Sequence, residues 1–208
     1  MNTKAKVAVF VSGGGSNLQS LINASKRSEL SAEIVLVISN KSKAFGLERA
    51  RNEGIDTFVY LEKRYPTAED AEKDLLEMLD SYGVEYIALA GYLRLLPFSV
   101  VKKYEGKITN IHPALLPKYG GKGMYGHHVH EAVLGHGCKV TGVTVHLVDD
   151  EYDHGPIVAQ RSVVVEEGDT PETLAARVLK VEHQIYAETL QLFAEDRIEV
   201  RGQKTVIR

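Results

Sequence analysis

The sequence predicts an α/β fold built on a doubly wound, mostly parallel sheet with a Rossmann-like N-terminal half. Short apolar runs, the length of buried strands, alternate along the chain with segments in which apolar residues recur at helical spacing. A glycine-rich turn, Ser-Gly-Gly-Gly-Ser-Asn at residues 12–17, joins the first such run to the first helical segment. This alternation is typical of parallel sheets, because a helix is the usual crossover between two parallel strands.

Five strands and four helices are predicted in the first half of the chain. The strand runs are rich in Val, Ile and Leu, which suits strands that are buried on both faces. We expect them at residues 6–11, 34–38, 55–60, 86–90 and 107–111. We expect the helices to begin near residue 18 and to lie at residues 43–52, 67–81 and 98–104. Gly54 and Gly83 are suited to end two of them, because glycine readily takes the left-handed conformation of a C-cap.

The second half begins with a glycine-rich loop at about residues 113–126. We expect this loop to be mobile, because five of residues 120–126 are Gly or Lys. Asp169 or Thr170 is expected to cap the last helix, which has Pro171 in its first turn and runs to about residue 193. The other elements are expected at residues 127–135 (a helix), 140–148 and 157–165 (strands) and 198–207 (a hairpin around Gly202).

The composition restricts the class of protein. We expect one domain over residues 1–208, with a nucleotide-fold half at about 1–100 and a catalytic half at about 101–208. The net charge of −3 disfavours a nucleic-acid partner, and no apolar run approaches the ~20 residues that span a bilayer. The five apolar residues at 7–11 are too few for a signal peptide. Cys138 is the only cysteine, so we expect no internal disulfide and a cytoplasmic location.

The turn at residues 12–17 is the first candidate site. A glycine-rich turn that leads into a helix presents free backbone N–H groups to an anion. The turn lacks the Lys-Ser/Thr of a P-loop and the spacing of a dinucleotide fingerprint, so a single phosphate is the expected ligand. A tight βα turn with no ligand uses glycine in the same way and is the alternative.

The second candidate is Asn110 with His112, at the end of the fifth predicted strand. Alternation puts both side chains on the same side of that strand, and Pro113 ends the ladder. Ligands bind at this edge of open α/β sheets, and an amide beside an imidazole can stabilise an oxyanion and move a proton. The third candidate is the acidic segment 149–153. If the Asp153 carboxylate is held near His112, its charge would raise the pKa of the imidazole. A hydrogen-bonded strand end and a solvated acidic loop are the alternatives.

Histidines form the fourth candidate group. His127 and His130 are three residues apart and could share a helix face, which raises the possibility of a metal site. No His-Glu-x-x-His motif and no cysteine pair is present, so we predict no metal and interpret this segment, with His128, as a solvated helix. The remaining histidines considered with this group are His136, His146 and His154.

Five segments, taken in order, resemble the phosphoribosylglycinamide formyltransferases, the folate-dependent enzymes of purine synthesis. The likeness extends to about residue 193, and the combination of segments is more specific than any one of them. They are Val-Phe-Val-Ser-Gly-Gly-Gly-Ser-Asn-Leu-Gln at 9–19, Leu-Ala-Gly-Tyr-Leu-Arg-Leu-Leu at 89–96, Asn-Ile-His-Pro-Ala-Leu-Leu-Pro at 110–117, Gly-Val-Thr-Val-His at 142–146 and Asp-His-Gly-Pro at 153–156.

The resemblance implies that the chain transfers a formyl group from 10-formyltetrahydrofolate to the amino group of glycinamide ribonucleotide, without a metal or a covalent intermediate. It implies a catalytic trio of Asn110, His112 and Asp153. The substrate-binding residues that it implies are Gly15, Ser16 and Asn17 for the phosphate and Glu182 for the ribonucleotide. The folate-binding residues that it implies are Arg64, Leu93, Arg94, Leu95, Leu96, Asn110, Asp149 and Asp150. The implied partners are these two small molecules, with neither nucleic acid nor membrane, and the implied state is a monomer or a homodimer.

Two segments differ from the commoner family pattern. After Lys118-Tyr119 the chain has Gly-Gly-Lys-Gly-Met-Tyr at residues 120–125, where many members have Pro-Gly. His154 stands where glycine is usual. Both lie beside the implied trio, so they bear on the geometry of its loops.

The sequence leaves several alternative functions open. Methionyl-tRNA formyltransferases share the Asn-x-His and Leu-Leu-Pro pattern but carry an additional RNA-binding domain, and formyltetrahydrofolate hydrolases carry a regulatory domain. We expect a chain of 208 residues to hold the formyl-transfer domain alone. A non-catalytic nucleotide-binding module would keep the turn at 13–17 without needing the trio. A metal hydrolase built on the histidines would lose activity with a chelator.

Overall fold

The strands and helices occur in the predicted order, with ends that differ by one to a few residues. The computed structural model of the chain describes residues 4–208. Its strands are β1 (Ala5–Val11), β2 (Ala32–Ser39), β3 (Asp56–Val59), β4 (Tyr86–Leu89), β5 (Ile108–His112), β6 (Val140–Leu147), β7 (Ile157–Val164), β8 (Ile198–Arg201) and β9 (Lys204–Ile207). Its α-helices are α1 (Ser16–Lys26), α2 (Phe45–Asn52), α3 (Ala68–Ser81), α4 (Phe98–Lys103), α5 (His127–Gly135) and α6 (Pro171–Ala194), with a short 3₁₀ turn at Glu62–Arg64. None of the helices in this part of the chain is long and apolar enough to cross a bilayer.

Seven strands form one twisted sheet in the order β3-β2-β1-β4-β5-β6-β7. The strands β1 to β5 are parallel, whereas β6 and β7 each pair antiparallel to the preceding strand. The predicted fold class is therefore confirmed. Because β1 and β4 are neighbours, the loops that follow them leave the sheet in different directions and open a crevice between them, the usual ligand position in such folds.

The sheet is covered on both faces. One apolar layer is formed with α1, α2, α5 and α6, and the other with α3 and α4. Tyr186 of α6 is fully buried, and its hydroxyl donates a hydrogen bond of 3.0 Å to the carbonyl of Leu89 at the end of β4. This contact fixes α6 against the carboxyl ends of the central strands, so a residue one turn earlier on α6 is held over the crevice.

The start of α6 follows the predicted capping chemistry. The Thr170 hydroxyl accepts a hydrogen bond from the Thr173 N–H, and the Thr173 hydroxyl accepts one from the Thr170 N–H. Pro171 occupies the first turn, where a missing N–H is not costly. Thr170, one of the two predicted residues, is thus the N-cap of the longest helix.

Candidate active site

A cavity of about 640 Å³ opens at the carboxyl ends of β1, β4 and β5. Ten of the fourteen predicted catalytic and binding residues lie on its wall. They are Ser16, Asn17, Leu93, Arg94, Leu95, Leu96, Asn110, His112, Asp153 and Glu182. The crevice that the strand order creates therefore collects the predicted trio and most of the predicted binding residues.

Strand pairing brings Asn110 beside a second histidine. In the antiparallel pair β5–β6, Asn110 lies directly opposite His146, and His112 lies opposite Thr144. The Nδ2 atom of Asn110 is 3.0 Å from Nε2 of His146, whose Nδ1 is 2.7 Å from the carbonyl of Leu147. Both contacts are satisfied when His146 carries its proton on Nδ1 and accepts a hydrogen bond from the amide at Nε2.

Asp153 reaches the same point from the loop between β6 and β7. Its backbone has φ of 54°, a left-handed conformation that few non-glycine residues adopt. Its Oδ1 atom accepts a hydrogen bond of 3.3 Å from Nδ2 of Asn110, and its Oδ2 atom accepts one of 2.9 Å from the Gly121 N–H. Oδ1 is also 3.5 Å from Nδ1 of His112 and 3.5 Å from Nε2 of His146. Both amide hydrogens of Asn110 are thus engaged, one by a histidine and one by a carboxylate.

His112 is oriented from its other side. Its Nε2 atom is 2.7 Å from the carbonyl of Tyr119, so Nε2 carries a proton and donates, and Nδ1 is left facing Asp153. Thr144 supports the intervening loop, because its hydroxyl donates to the Ala114 carbonyl at 2.6 Å and accepts from the Leu116 N–H at 3.1 Å.

Burial and neighbouring charges act in opposite directions on the pKa values of His112 and Asp153. Desolvation lowers the pKa of His112 below 6.5, although the charge of Asp153 and the Tyr119 carbonyl act to raise it. Desolvation also acts to raise the pKa of Asp153. That effect is outweighed by the neighbouring His146 and His112 and by the hydrogen bond from the Gly121 N–H, so the pKa falls below 3.8. Near neutral pH the site therefore holds an ionised carboxylate beside a neutral imidazole that can take up a proton.

The other end of the cavity is formed by α1 and α6. Gly15, with φ of 70°, precedes the first turn of α1, and Asn17 donates from Nδ2 to Oε2 of Glu182 at 2.6 Å. The Oδ1 atom of Asn17 is buried without a hydrogen-bond partner in the described chain. Burial raises the pKa of Glu182 above 4.5, and the hydrogen bond from Asn17 opposes that shift. This end of the cavity therefore combines a helix N-terminus with two oxygen acceptors.

The segment after β4 is the apolar side of the cavity. Leu93 and Leu95 are partly exposed, and Leu96 is buried. The Leu93 N–H donates to the Ser12 hydroxyl at 2.9 Å, which ties this segment to the turn after β1.

Four predicted binding residues lie off the cavity wall. Gly15 immediately precedes α1 and does not line the cavity, and Arg64 is exposed in the 3₁₀ turn. Asp149 accepts from Nδ1 of His154 at 2.7 Å within its own loop, and Asp150 is exposed. Their predicted contacts with substrate and folate stay predictions.

A formyl transferase family model matches residues 5–190. The chain belongs to this family. Over 200 residues this formyl transferase is 46% identical to the chloroplastic phosphoribosylglycinamide formyltransferase of Vigna unguiculata, a match that covers 94% of the chain and 62% of that relative. It therefore spans less than two thirds of the relative's length. With the phosphoribosylglycinamide formyltransferase of Escherichia coli it shares 39% identity over 194 residues, covering 93% of the chain and 89% of the relative.

Solved structures give the same assignment. The glycinamide ribonucleotide transformylase 1 of Symbiobacterium toebii superposes with a TM-score of 0.92 at 38% identity, and the match covers 100% of the chain and 95% of that structure. A formyltetrahydrofolate deformylase of Pseudomonas syringae has a TM-score of 0.87 at 26% identity, and the match covers 99% of the chain and 66% of that structure. The second likeness makes hydrolysis the alternative to be tested.

The histidines of this formyl transferase do not form the solvated group expected from the sequence. His127 is 48% exposed beside Glu131, as expected, but His130 is only 3% exposed and borders the cavity. The expectation was wrong for His130 because the residue lies on the inward side of α5 with Val129 and Val133. Within residues 4–208, no three His, Cys, Asp or Glu side chains are grouped so as to hold a metal ion.

Three contributors to the site were missed by the sequence reasoning. They are the His146 side chain, the Tyr119 carbonyl and the Gly121 N–H. The strand register would have located His146, because the pairing of Asn110 with His146 follows once β5 and β6 are aligned as an antiparallel pair. No side-chain pattern could have found the other two groups, since both belong to the backbone.

Proposed function

We propose that the protein transfers the formyl group of 10-formyltetrahydrofolate to the amino group of glycinamide ribonucleotide in de novo purine synthesis. The products are formylglycinamide ribonucleotide and tetrahydrofolate. The proposal is carried by one observation: Asn110, His112 and Asp153 meet in a cavity that has the N-terminus of α1 at one end and an apolar segment at the other. Family membership supports the reaction class.

The reaction needs a neutral amine and a place for its proton. The amine nitrogen attacks the formyl carbon, a C–N bond forms, and the carbonyl oxygen becomes an oxyanion. The bond from the formyl carbon to the folate nitrogen then breaks, and that nitrogen takes up a proton. Ionised Asp153, beside the unprotonated Nδ1 of His112, is suited to accept the amine proton or to stabilise it on the imidazole.

The oxyanion is stabilised by Asn110 and by the imidazolium form of His112. Each preorganised donor of this kind typically contributes ~3 kcal/mol. Since both hydrogens of the Asn110 amide are engaged, we expect the oxyanion to replace the longer bond, the one of 3.3 Å to Asp153. The bond of 3.0 Å to His146 would keep the amide oriented during this exchange.

The two substrates would enter from different ends of the cavity. The phosphate would bind the free N–H groups at Gly15, Ser16 and Asn17, because the start of a helix favours an anion. Glu182 and Oδ1 of Asn17 offer acceptors for the ribose hydroxyls. The folate would lie against residues 93–96, with Arg64, Asp149 and Asp150 as further proposed contacts.

A turnover assay tests the proposal against hydrolysis. Purified protein is supplied with a 10-formyl folate, with and without glycinamide ribonucleotide, and release of the deformylated folate is followed by absorbance. We expect release only when the ribonucleotide is present, with one formylated product per folate consumed. Equal release without the ribonucleotide would instead support a deformylase.

We also propose that residues 1–208 form a single formyl-transfer domain that works in the cytoplasm as a monomer or a homodimer. The continuous seven-stranded sheet, which joins the nucleotide-fold half to the half that carries His112 and Asp153, supports one domain. Light scattering after size exclusion decides between monomer and dimer, and fractionation of the source cells tests the location.

A further inference from the structure

Arg49 of α2 is bonded to the back of the glycine turn. Its Nε atom donates a hydrogen bond of 2.8 Å to the Gly14 carbonyl, and Nη1 donates one of 3.4 Å to Oε1 of Gln19 in α1. The guanidinium carbon lies 4.9 Å from the ring centroid of Phe45, a cation–π distance. The side chain is half-buried, and it is not on the cavity wall.

A second contact from α2 holds the same turn. The Gly46 N–H donates to the Gly13 carbonyl at 3.0 Å. The approach is close, since a Cβ on Gly15 would lie 2.7 Å from the Cα of Gly46 and 3.5 Å from Cδ of Arg49. The start of α2 and the Arg49 side chain together form a support for residues 13–15.

This support determines which way the turn's N–H groups point. In a trans peptide, the carbonyl of one residue and the N–H of the next point in opposite directions. Because the Gly13 and Gly14 carbonyls face α2, the N–H groups of Gly14 and Gly15 point away from it. Within residues 4–208 neither N–H group has a hydrogen-bond partner, so both are available to an anion at the start of α1.

The hydrogen bond from Arg49 also polarises the peptide whose N–H group an anion would contact. A cationic donor on the Gly14 carbonyl polarises the peptide, which makes the Gly15 N–H on the other side a stronger donor. The positive charge itself lies on the α2 side of the turn, off the cavity wall.

We propose that Arg49 is a positioning residue for the substrate phosphate: it holds the Gly14 carbonyl so that the turn's N–H groups face the phosphate. The inference rests on the proposed function, in which this turn binds the phosphate of glycinamide ribonucleotide. Arg49 acts through the peptide between Gly14 and Gly15 and does not touch the substrate.

The test compares three variants. Arg49→Gln removes the charge and keeps a hydrogen-bond donor, and Arg49→Lys keeps the charge but loses the planar guanidinium. Arg51→Gln is the matched control, because Arg51 is on the same helix and its Nε donates to the Thr57 hydroxyl at 3.2 Å, away from the turn. Steady-state kinetics are measured with glycinamide ribonucleotide and with its phosphate-free riboside, and the Kd of ribose 5-phosphate is measured by calorimetry.

For Arg49→Gln we expect the KM for the ribonucleotide and the Kd for ribose 5-phosphate to rise about tenfold or more. The KM for folate and the kinetics with the riboside should stay within twofold, because neither involves the phosphate. Arg49→Lys should lie between this variant and the unchanged protein, and Arg51→Gln should match the unchanged protein.

Equal losses with ribonucleotide and riboside would show that Arg49 only stabilises the fold, and they would overturn the inference. An unchanged Kd for ribose 5-phosphate in both Arg49 variants would overturn it as well. The calorimetric comparison does not depend on turnover. A protein that binds ribose 5-phosphate in an Arg49-dependent way but fails to formylate the ribonucleotide would refute the proposed function and leave this inference standing.

Discussion

Replacing Asp153 with asparagine removes one charge from the centre of the site and changes the volume very little. The carboxylate is 3.5 Å from Nδ1 of His112, and both side chains are largely shielded from water. At an effective dielectric constant of ~20, a carboxylate at this distance stabilises the imidazolium by ~5 kcal/mol. The proposed mechanism needs that imidazolium when the proton leaves the amine. We therefore expect kcat to fall by roughly a thousandfold or more in Asp153→Asn, since each 1.4 kcal/mol is about a factor of ten.

The assay is spectrophotometric turnover at saturating folate and ribonucleotide, with Glu167→Gln as the control. Glu167 is exposed after β7, has no part in the proposed site and undergoes the same change of charge. Circular dichroism and thermal melting should show a folded Asp153→Asn protein, because the Gly121 N–H can still donate to the amide oxygen. A folded variant that keeps more than a tenth of the activity would refute the assignment of Asp153.

Three other outcomes are expected. Glu182→Gln should raise the KM for the ribonucleotide about tenfold and leave the KM for folate unchanged in the same assay, because Asn17 keeps a partner but the ribose loses an anionic acceptor. Burial, helped by the charges of His127 and His112, lowers the pKa of His130 below its ordinary value of ~6.5, so the unfolded chain binds the proton more readily. The stabilisation that follows from this shift is fully present above a pH of ~6.5. It is lost as the pH falls towards the pKa of His130 in the folded chain. Melting of His130→Gln should accordingly depend less on pH between 7 and 5, and an unchanged slope would contradict this. Thr170→Ala should lower the free energy of unfolding by ~1 kcal/mol and the Tm by ~2–4 °C with normal turnover, whereas Thr170→Ser should match the unchanged protein.

Much of the fold could be predicted because its signals are local. The apolar runs of the strands and the Thr170 cap are properties of short segments, and the structure keeps them. The site was predicted less completely. His146 was grouped with exposed histidines because its role depends on the β5–β6 register, and a slip of one residue would turn its side chain to the other face of the sheet. The folate contact of Asp149 stays a prediction, and its carboxylate accepts a hydrogen bond from His154 within its own loop.

The antiparallel direction of β6 explains why a loop so far along the chain supplies the carboxylate. Because β6 runs against β5, it reaches Asn110 near its own carboxyl end, with His146 and Leu147 as its last residues. The chain then leaves the sheet beside the site, and Asp153 follows after a short loop. That loop turns back closely enough that a Cβ on Gly155 would lie 2.1 Å from the Leu147 carbonyl oxygen, so only glycine fits there. A parallel sixth strand would need a long crossover and would enter the sheet at the opposite edge. The antiparallel pairing of β6 therefore allows one short segment, residues 146–153, to supply both the histidine that orients Asn110 and the carboxylate that faces His112.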